Sequence, residues 1–164
     1  MARVYIGLGS NLGCREENLA RALKRLSEIS NGSVKVLRCS SIYESKPWGK
    51  TEQPDFLNQV VEVETTLEPK AFLVLLKKIE RELGRTQDAE RWGPRIIDLD
   101  IVFWNGFVLN EGDLVIPHPY MSDREFVLAP LAEISSKLKH PVTGRTVEEM
   151  LASISERGSV RRFS

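Results

Sequence analysis

The chain has 164 residues, 23 Lys+Arg against 23 Asp+Glu, with 41% hydrophobic and 28% charged residues. That is one domain's worth of sequence, long enough to bury a core unaided and too apolar for a disordered tail. A formal net charge of zero weighs against a nucleic-acid partner and against an anionic membrane surface, and no apolar run is long enough to cross a bilayer. No signal peptide is read at the start, and Cys14 and Cys39 have no metal-type spacing, so they are expected to be reduced residues of a cytoplasmic protein. His118 and His140 lie too far apart to suggest a zinc site.

Residues 3–8 read as a short apolar strand. The Gly-rich run from Gly7 to Gly13 follows; it matches neither a Rossmann nor a Walker phosphate cradle and is read as a tight strand-to-helix turn. Leu19, Ala22, Leu23, Leu26 and Ile29 recur at helical spacing, which predicts a helix over 16–30 ended by Asn31-Gly32. A strand is expected over 34–43, then a long polar loop over 44–54 punctuated by Pro47, Gly49 and Pro54. The strand over 56–66 puts Val61, Val63 and Thr65 on one face and Glu62 and Glu64 on the other, so one face is expected to be wet. Pro69 opens a second helix with a stripe of Phe72, Leu75, Leu76, Ile79 and Leu83, ended by Gly84. A second unusual loop spans 85–95, and a strand follows over 96–104.

The C-terminal third is less regular. Asp123 reads as the cap of a helix leading to Leu131, limited by Pro130. Thr146 and Glu149 match a capping box for a short helix through Ile154, and residues 161–164 are expected to fray. The order predicts an α+β fold, a ferredoxin-like βαββαβ core in one domain over residues 1–164. Its antiparallel sheet carries both helices on one face, leaving the other free for a site, and a C-terminal extension of short elements follows.

The sharpest chemical signal is Asp98-Leu99-Asp100. Residues two apart on a strand share a face, so Ile97, Leu99 and Ile101 go to the core and both carboxylates to the opposite face. Paired carboxylates repel unless a cation or an arginine neutralises them. Such a pair suits magnesium carrying nucleotide phosphates, although a salt-bridged strand face explains an Asp-x-Asp equally well in isolation. Arg85, Arg91 and Arg95 crowd the preceding loop, and arginine forks suit phosphate oxygens. Carboxylates beside arginines are what transfer from a polyphosphate needs. Trp92-Gly93-Pro94 adds a flat face on a stiff turn, and Trp48, Phe56, Asn58 and Phe126 form an aromatic and amide set suited to a flat ligand. His118 sits between two prolines, where it could bond a phosphate or sugar.

Taken in order, Gly9-Ser10-Asn11-Leu12, Gln53-Pro54-Asp55-Phe56-Leu57-Asn58, Arg91-Trp92-Gly93-Pro94-Arg95-x-x-Asp98-Leu99-Asp100 and Pro117-His118-Pro119 resemble the 6-hydroxymethyl-7,8-dihydropterin pyrophosphokinase family of folate biosynthesis. The resemblance runs from residue 5 to about 134. It implies transfer of pyrophosphate from ATP to the hydroxymethyl group of the pterin, with release of AMP. It implies a catalytic set of Arg85, Arg95, Asp98 and Asp100, the two aspartates holding two Mg2+ ions. ATP would meet Glu80, Arg85, Arg91, Arg95, Ile101 and His118. The pterin would meet Ser45, Lys46, Trp48, Phe56, Asn58, Trp92, Arg124 and Phe126. The chain carries Gln87 and Asp88 where a bacterial form of the family has further basic residues, Phe56 where Tyr is common, and Asp113 near a basic nucleotide contact. ATP and the pterin are the expected partners, with no nucleic acid or membrane, and a monomer is expected. The alternative reading is a ferredoxin-like module that binds nucleotide or pterin without turnover; a magnesium-dependent hydrolase and an RNA-binding sheet are weaker still.

Overall fold

Nine consecutive residues with apolar side chains on both faces form the first strand, β1 (Ala2–Ser10), and everything else is arranged around it. The computed structural model describes residues 1–47, 52–84, 94–154 and 158–163. In chain order β1 is followed by α1 (Arg15–Ile29), β2 (Val34–Cys39), β3 (Tyr43–Ser45), β4 (Phe56–Thr65), α2 (Pro69–Glu82) and β5 (Asp98–Trp104). Then come β6 (Leu109–Glu111), β7 (Leu114–Ile116), a 3-10 turn at Met121–Asp123, α3 (Glu125–Ser135), α4 (Val147–Ala152) and β8 (Val160–Arg162).

β1 pairs antiparallel with β4 on one edge and β5 on the other. β2 and β3 share the far edge of β4, and β8 adds beyond β3. This is the expected antiparallel sheet with helices packed on it. The predicted strand over 34–43 is two pieces, β2 and β3, so part of the expected first loop is strand. The hairpin of β6 and β7 was not foreseen: three-residue strands are too short to show an alternation.

The apolar stripes of α1 and α2 close one face. Leu19, Ala22 and Leu26 from α1 and Phe72, Leu76 and Ile79 from α2 pack on Val4, Ile6, Leu8, Val61, Val63, Leu99 and Ile101. Asn31 takes a left-handed φ of 51° after α1, and Gly32 follows at 84°, a turn that only such residues make cheaply.

The other face is open only in part, where the sequence predicts it free. Tyr5, Val60, Val102 and Phe103 are covered by Leu128, Leu131 and Ile134 of α3 and by Val147 and Met150 of α4. α3 runs past Pro130 to Ser135, and its first residue is Glu125 rather than a position after an Asp123 cap. The proline removes one N–H but sits in a helix whose buried face holds it in place. The capping box of Thr146 and Glu149 is present as expected. Of residues 161–164, expected to fray, Arg161 and Arg162 belong to β8, and Ser164 lies outside the described residues.

Burial under α3 changes the fate of Glu62, which is only 2% exposed. Its carboxylate accepts from the Tyr5 hydroxyl at 2.7 Å and from Arg38 Nε at 2.8 Å, with Arg3 3.7 Å away. Tyr5 and Arg38 both also reach the Ser135 hydroxyl at the end of α3. Burial pushes the Glu62 carboxyl up, but the Arg38 and Tyr5 hydrogen bonds outweigh it and hold the group below the usual carboxylate range. A group with a depressed native pKa stabilises the fold above its unfolded value and loses that contribution as pH falls through the native one. Arg38→Ala is therefore expected to cost about 1–2 kcal/mol at pH 7 and progressively less below pH ~4. Denaturant titrations of both chains across that range measure the difference.

Candidate active site

The cleft lies on the half of the second sheet face that α3 and α4 leave uncovered. Antiparallel partners share a face, so the register builds the site row by row. Gly9 of β1 faces Asn58 of β4 on one side and Asp98 of β5 on the other. Gly7 faces Val60 and Asp100 in the same way. Both aspartates therefore point into the cleft, and Ile97, Leu99 and Ile101 into the core, as the alternation predicts. Ile101 is thus a buried core side chain. The register then slips between Tyr5–Phe103 and Ile6–Ile101, leaving Val102 as an extra residue at the cleft wall.

The two glycines are the floor. A methyl group on Gly9 would stand 3.6 Å from Asn58 Oδ1 and from the Phe56 ring, and one on Gly7 would stand 3.2 Å from Val102. Any larger side chain there would fill the space above the aspartates.

One wall is amide and aromatic. Asn58 is buried, and its Nδ2 donates to the Ser45 hydroxyl at 2.6 Å and toward the Tyr43 carbonyl at 3.5 Å. With its donors engaged by β3, the amide turns its acceptor, Oδ1, toward the cleft. Ser45, exposed Lys46 and half-buried Phe56 line the cleft beside it, and half-buried Phe126 lines it from the start of α3.

The opposite side is charged. Arg95 and Arg124 are buried at its edge. The Arg124 guanidinium lies over the rings of Tyr120 and Phe126, 5.1 and 5.3 Å from their centres. Burial lowers its pKa, while Asp100 and Asp98 act in the opposite sense and favour its charge. The carboxylate pair therefore has the arginine neighbour that its own repulsion requires. Among the described residues no group of three or more His, Cys, Asp or Glu side chains gathers as a metal cage. Two carboxylates from one strand fit a hard cation such as Mg2+, which keeps waters and substrate phosphates as its other ligands.

His118 lines the cleft, and its Nδ1 accepts the Tyr120 N–H at 3.2 Å. The neutral ring thus carries its proton on Nε2 and offers a donor. Burial, helped by the Arg124 charge, pushes its pKa down to about 4. Glu80 sits in α2 with its Oε2 accepting the Leu99 N–H at 2.8 Å, so it grips β5 between the two aspartates. Trp48, Arg85, Arg91 and Trp92 lie outside the described residues.

Asn11 is a site residue that the sequence reading quoted within a motif without giving it a task. It is 1% exposed. Its Oδ1 accepts the Arg95 N–H at 2.7 Å, and its own N–H donates to the Arg95 carbonyl at 2.9 Å. Its Nδ2 donates to Gln53 Oε1 and the Pro54 carbonyl, both at 2.9 Å. One side chain at the end of β1 thereby fastens the segment before β4 to the segment before β5.

Two outcomes follow from this geometry. Asn11→Ala should leave the Arg95 N–H without its acceptor and cost about 2–3 kcal/mol, read by chemical denaturation. For His118 the sign is set by a native pKa below the ordinary one. As pH falls from 6.5 to 4 the unfolded chain takes up a proton that the native one refuses, so stability drops, by up to about 3 kcal/mol. His118→Gln should remove that slope while leaving stability at pH 7 nearly unchanged, as denaturation at pH 7, 5.5 and 4.5 would reveal.

Comparison with known proteins bears on this cleft. The family model described as 7,8-dihydro-6-hydroxymethylpterin-pyrophosphokinase (HPPK) matches residues 5–136. The chain is 45% identical over 145 residues to the 2-amino-4-hydroxy-6-hydroxymethyldihydropteridine pyrophosphokinase of Bacillus subtilis, covering 88% of this chain and 85% of that one. It is 46% identical over 151 residues to the folic acid synthesis protein fol1 of Pneumocystis carinii, covering 92% of this chain but spanning only 20% of that protein. In fold it is similar to the wild-type HPPK-DHPS of Plasmodium falciparum solved with pteroate, with a TM-score of 0.75 at 17% identity, covering 98% of this chain and 45% of that one. The family model spans the cleft-lining residues and α3 alike, and on that extent of agreement the chain belongs to the 7,8-dihydro-6-hydroxymethylpterin-pyrophosphokinase family of diphosphotransferases.

Proposed function

We propose that the chain transfers the pyrophosphoryl group of ATP to the hydroxymethyl group of 6-hydroxymethyl-7,8-dihydropterin, releasing AMP, in folate synthesis. The observation that carries this reading is the meeting, in one cleft, of a carboxylate pair and two arginines with an amide and two aromatic rings. A hydrolase would have no use for the amide and rings, and a pterin-binding module no use for the carboxylates and arginines.

Asn58 Oδ1 accepts from the donor edge of the pterin, and Phe56 and Phe126 flank its ring. Ser45 holds the amide in that orientation, and Lys46, Trp48, Trp92 and Arg124 complete the pterin side. Asp98 and Asp100 are the residues that would hold the two Mg2+ ions, whose charge, when bound, would offset that of the ATP phosphates. Arg95, with Arg85 and Arg91, meets the phosphate oxygens, and the His118 Nε2–H donates to the nucleotide. Glu80 acts by holding β5, and Ile101 by packing beneath the pair. The pterin hydroxyl oxygen bonds to the β-phosphorus, the bond from that phosphorus to the α-phosphate oxygen breaks, and AMP leaves with the electron pair. The hydroxyl proton goes to solvent. Most of the acceleration is positioning and neutralisation of charge already in place. We further read the chain as a single-domain monomer of the cytoplasm. The described helices include none long and apolar enough to cross a membrane.

Purified protein given ATP, Mg2+ and the pterin should form AMP one-for-one with pterin pyrophosphate. ADP or inorganic phosphate as the product would overturn the reaction. Asp98→Ala and Asp100→Ala should each lower kcat by about a hundredfold or more, with the circular dichroism and unfolding midpoint of the parent. Turnover near that of the parent in either variant would remove the metal assignment.

A further inference from the structure

Two walls of the cleft are fastened by one short piece of chain that the reaction itself does not call for. The carboxylate of Glu125, the first residue of α3, accepts from the Gly158 N–H at 3.1 Å, the Ser159 N–H at 3.1 Å and the Ser159 hydroxyl at 3.1 Å. The next residue, Val160, is paired with Ser45, and β8 continues along β3 as Arg161 opposite Glu44 and Arg162 opposite Tyr43. The Phe163 N–H then donates to the Ile42 carbonyl at 2.9 Å.

Ser159 and Val160 are consecutive, so a single peptide link of about 3.8 Å between Cα atoms ties the start of α3 to β3. Arg124 and Phe126 flank Glu125 on the first wall, and Ser45, which orients Asn58, is on the second. Without β8, β3 would be a three-residue edge strand with β4 as its one strand partner among the described residues. Side chains reinforce the tie. Glu44 accepts from Arg161 at 2.6 Å and from Arg15 at 2.9 Å, and Arg15 also donates to the Asp55 carbonyl at 2.9 Å, next to Phe56. The far half of α3 has its own direct tie, since Glu133 accepts from the Ser41 N–H and the Tyr43 hydroxyl. The near half, which carries the cleft residues, has the strap.

The geometry points to residues 158–163 as a positioning strap that sets the separation between the Phe126 wall and the Ser45–Asn58 wall, and so the affinity for the flat substrate rather than for the nucleotide. The inference rests on the cleft being the pterin site. Arg95 and the two aspartates of β5 are held independently, by Asn11 and Glu80.

The test uses two variants, one lacking residues 158–164 and one full-length. The second is Gly158→Val: Gly158 has a φ of 95°, which a β-branched residue resists, and a Cβ there meets nothing within 4 Å. Both should raise the KM and the Kd for the pterin by about tenfold while the KM for ATP stays within about twofold. Hydrogen exchange should quicken in peptides covering 43–45 and 126–129 and remain unchanged in β5. A lower unfolding midpoint with an unaltered pterin KM would reduce the strap to a structural tether and overturn the inference. Unchanged exchange at both walls would overturn it as well. A parent chain that makes no AMP counts against the reaction instead, and the strap is then judged on pterin Kd and exchange alone.

Discussion

β1 is hydrogen-bonded along both edges, and the rest of the structure takes its place from that double register. A strand with two fixed neighbours cannot slip by one residue without turning its whole core face outward. Val4, Ile6 and Leu8 are therefore committed to the helices, and Tyr5, Gly7 and Gly9 to the opposite side. Because two of those three are glycines, the middle of the sheet is bare on that side. The aspartates of β5 and the amide of β4 then look at each other across an empty strip. The cleft is in this sense made by side chains that β1 does not have.

The second face divides its area between stability and chemistry. Toward one end, α3 and α4 bury Tyr5, Phe103 and Val60 over a hydrogen-bonded carboxylate. Toward the other, the same helix delivers Arg124 and Phe126 to the cleft. α3 is thereby both a lid on the second core and a wall of the site. The network of Glu62, Tyr5, Arg38 and Ser135 lies at its C-terminal end, and the cleft residues Arg124 and Phe126 lie at its N-terminal end.

Much of this could be read from residues alone, and the boundary of what could not is physical. Asp98 and Asp100 on one face follow from the two-residue period of a strand, which holds for any sheet. The split of the second strand, the slip at Val102 and the pairing of β8 do not, because they depend on which strand lies alongside. The same period that places the aspartates sends Glu62 to water. Alternation tells the two faces apart but not which of them a later helix will cover. α3 was undersold because Pro130 is a poor interior helix residue, and its burial overrode propensity. Asn11 gives no periodic signal at all: its task is to bond backbone groups 43 and 84 residues away, and only the fold brings those together.

The grip of Glu80 on β5 bears on a hazard unrelated to catalysis. Among the described residues β5 ends the sheet on its side, and a strand with unsatisfied amides along an open edge is a template for pairing with another chain. At Leu99 the outward N–H is already taken by a carboxylate. Asp98 and Asp100 flank that residue with charges that an incoming strand would have to desolvate. The segment on which the proposed chemistry relies is thus also guarded against pairing with another chain.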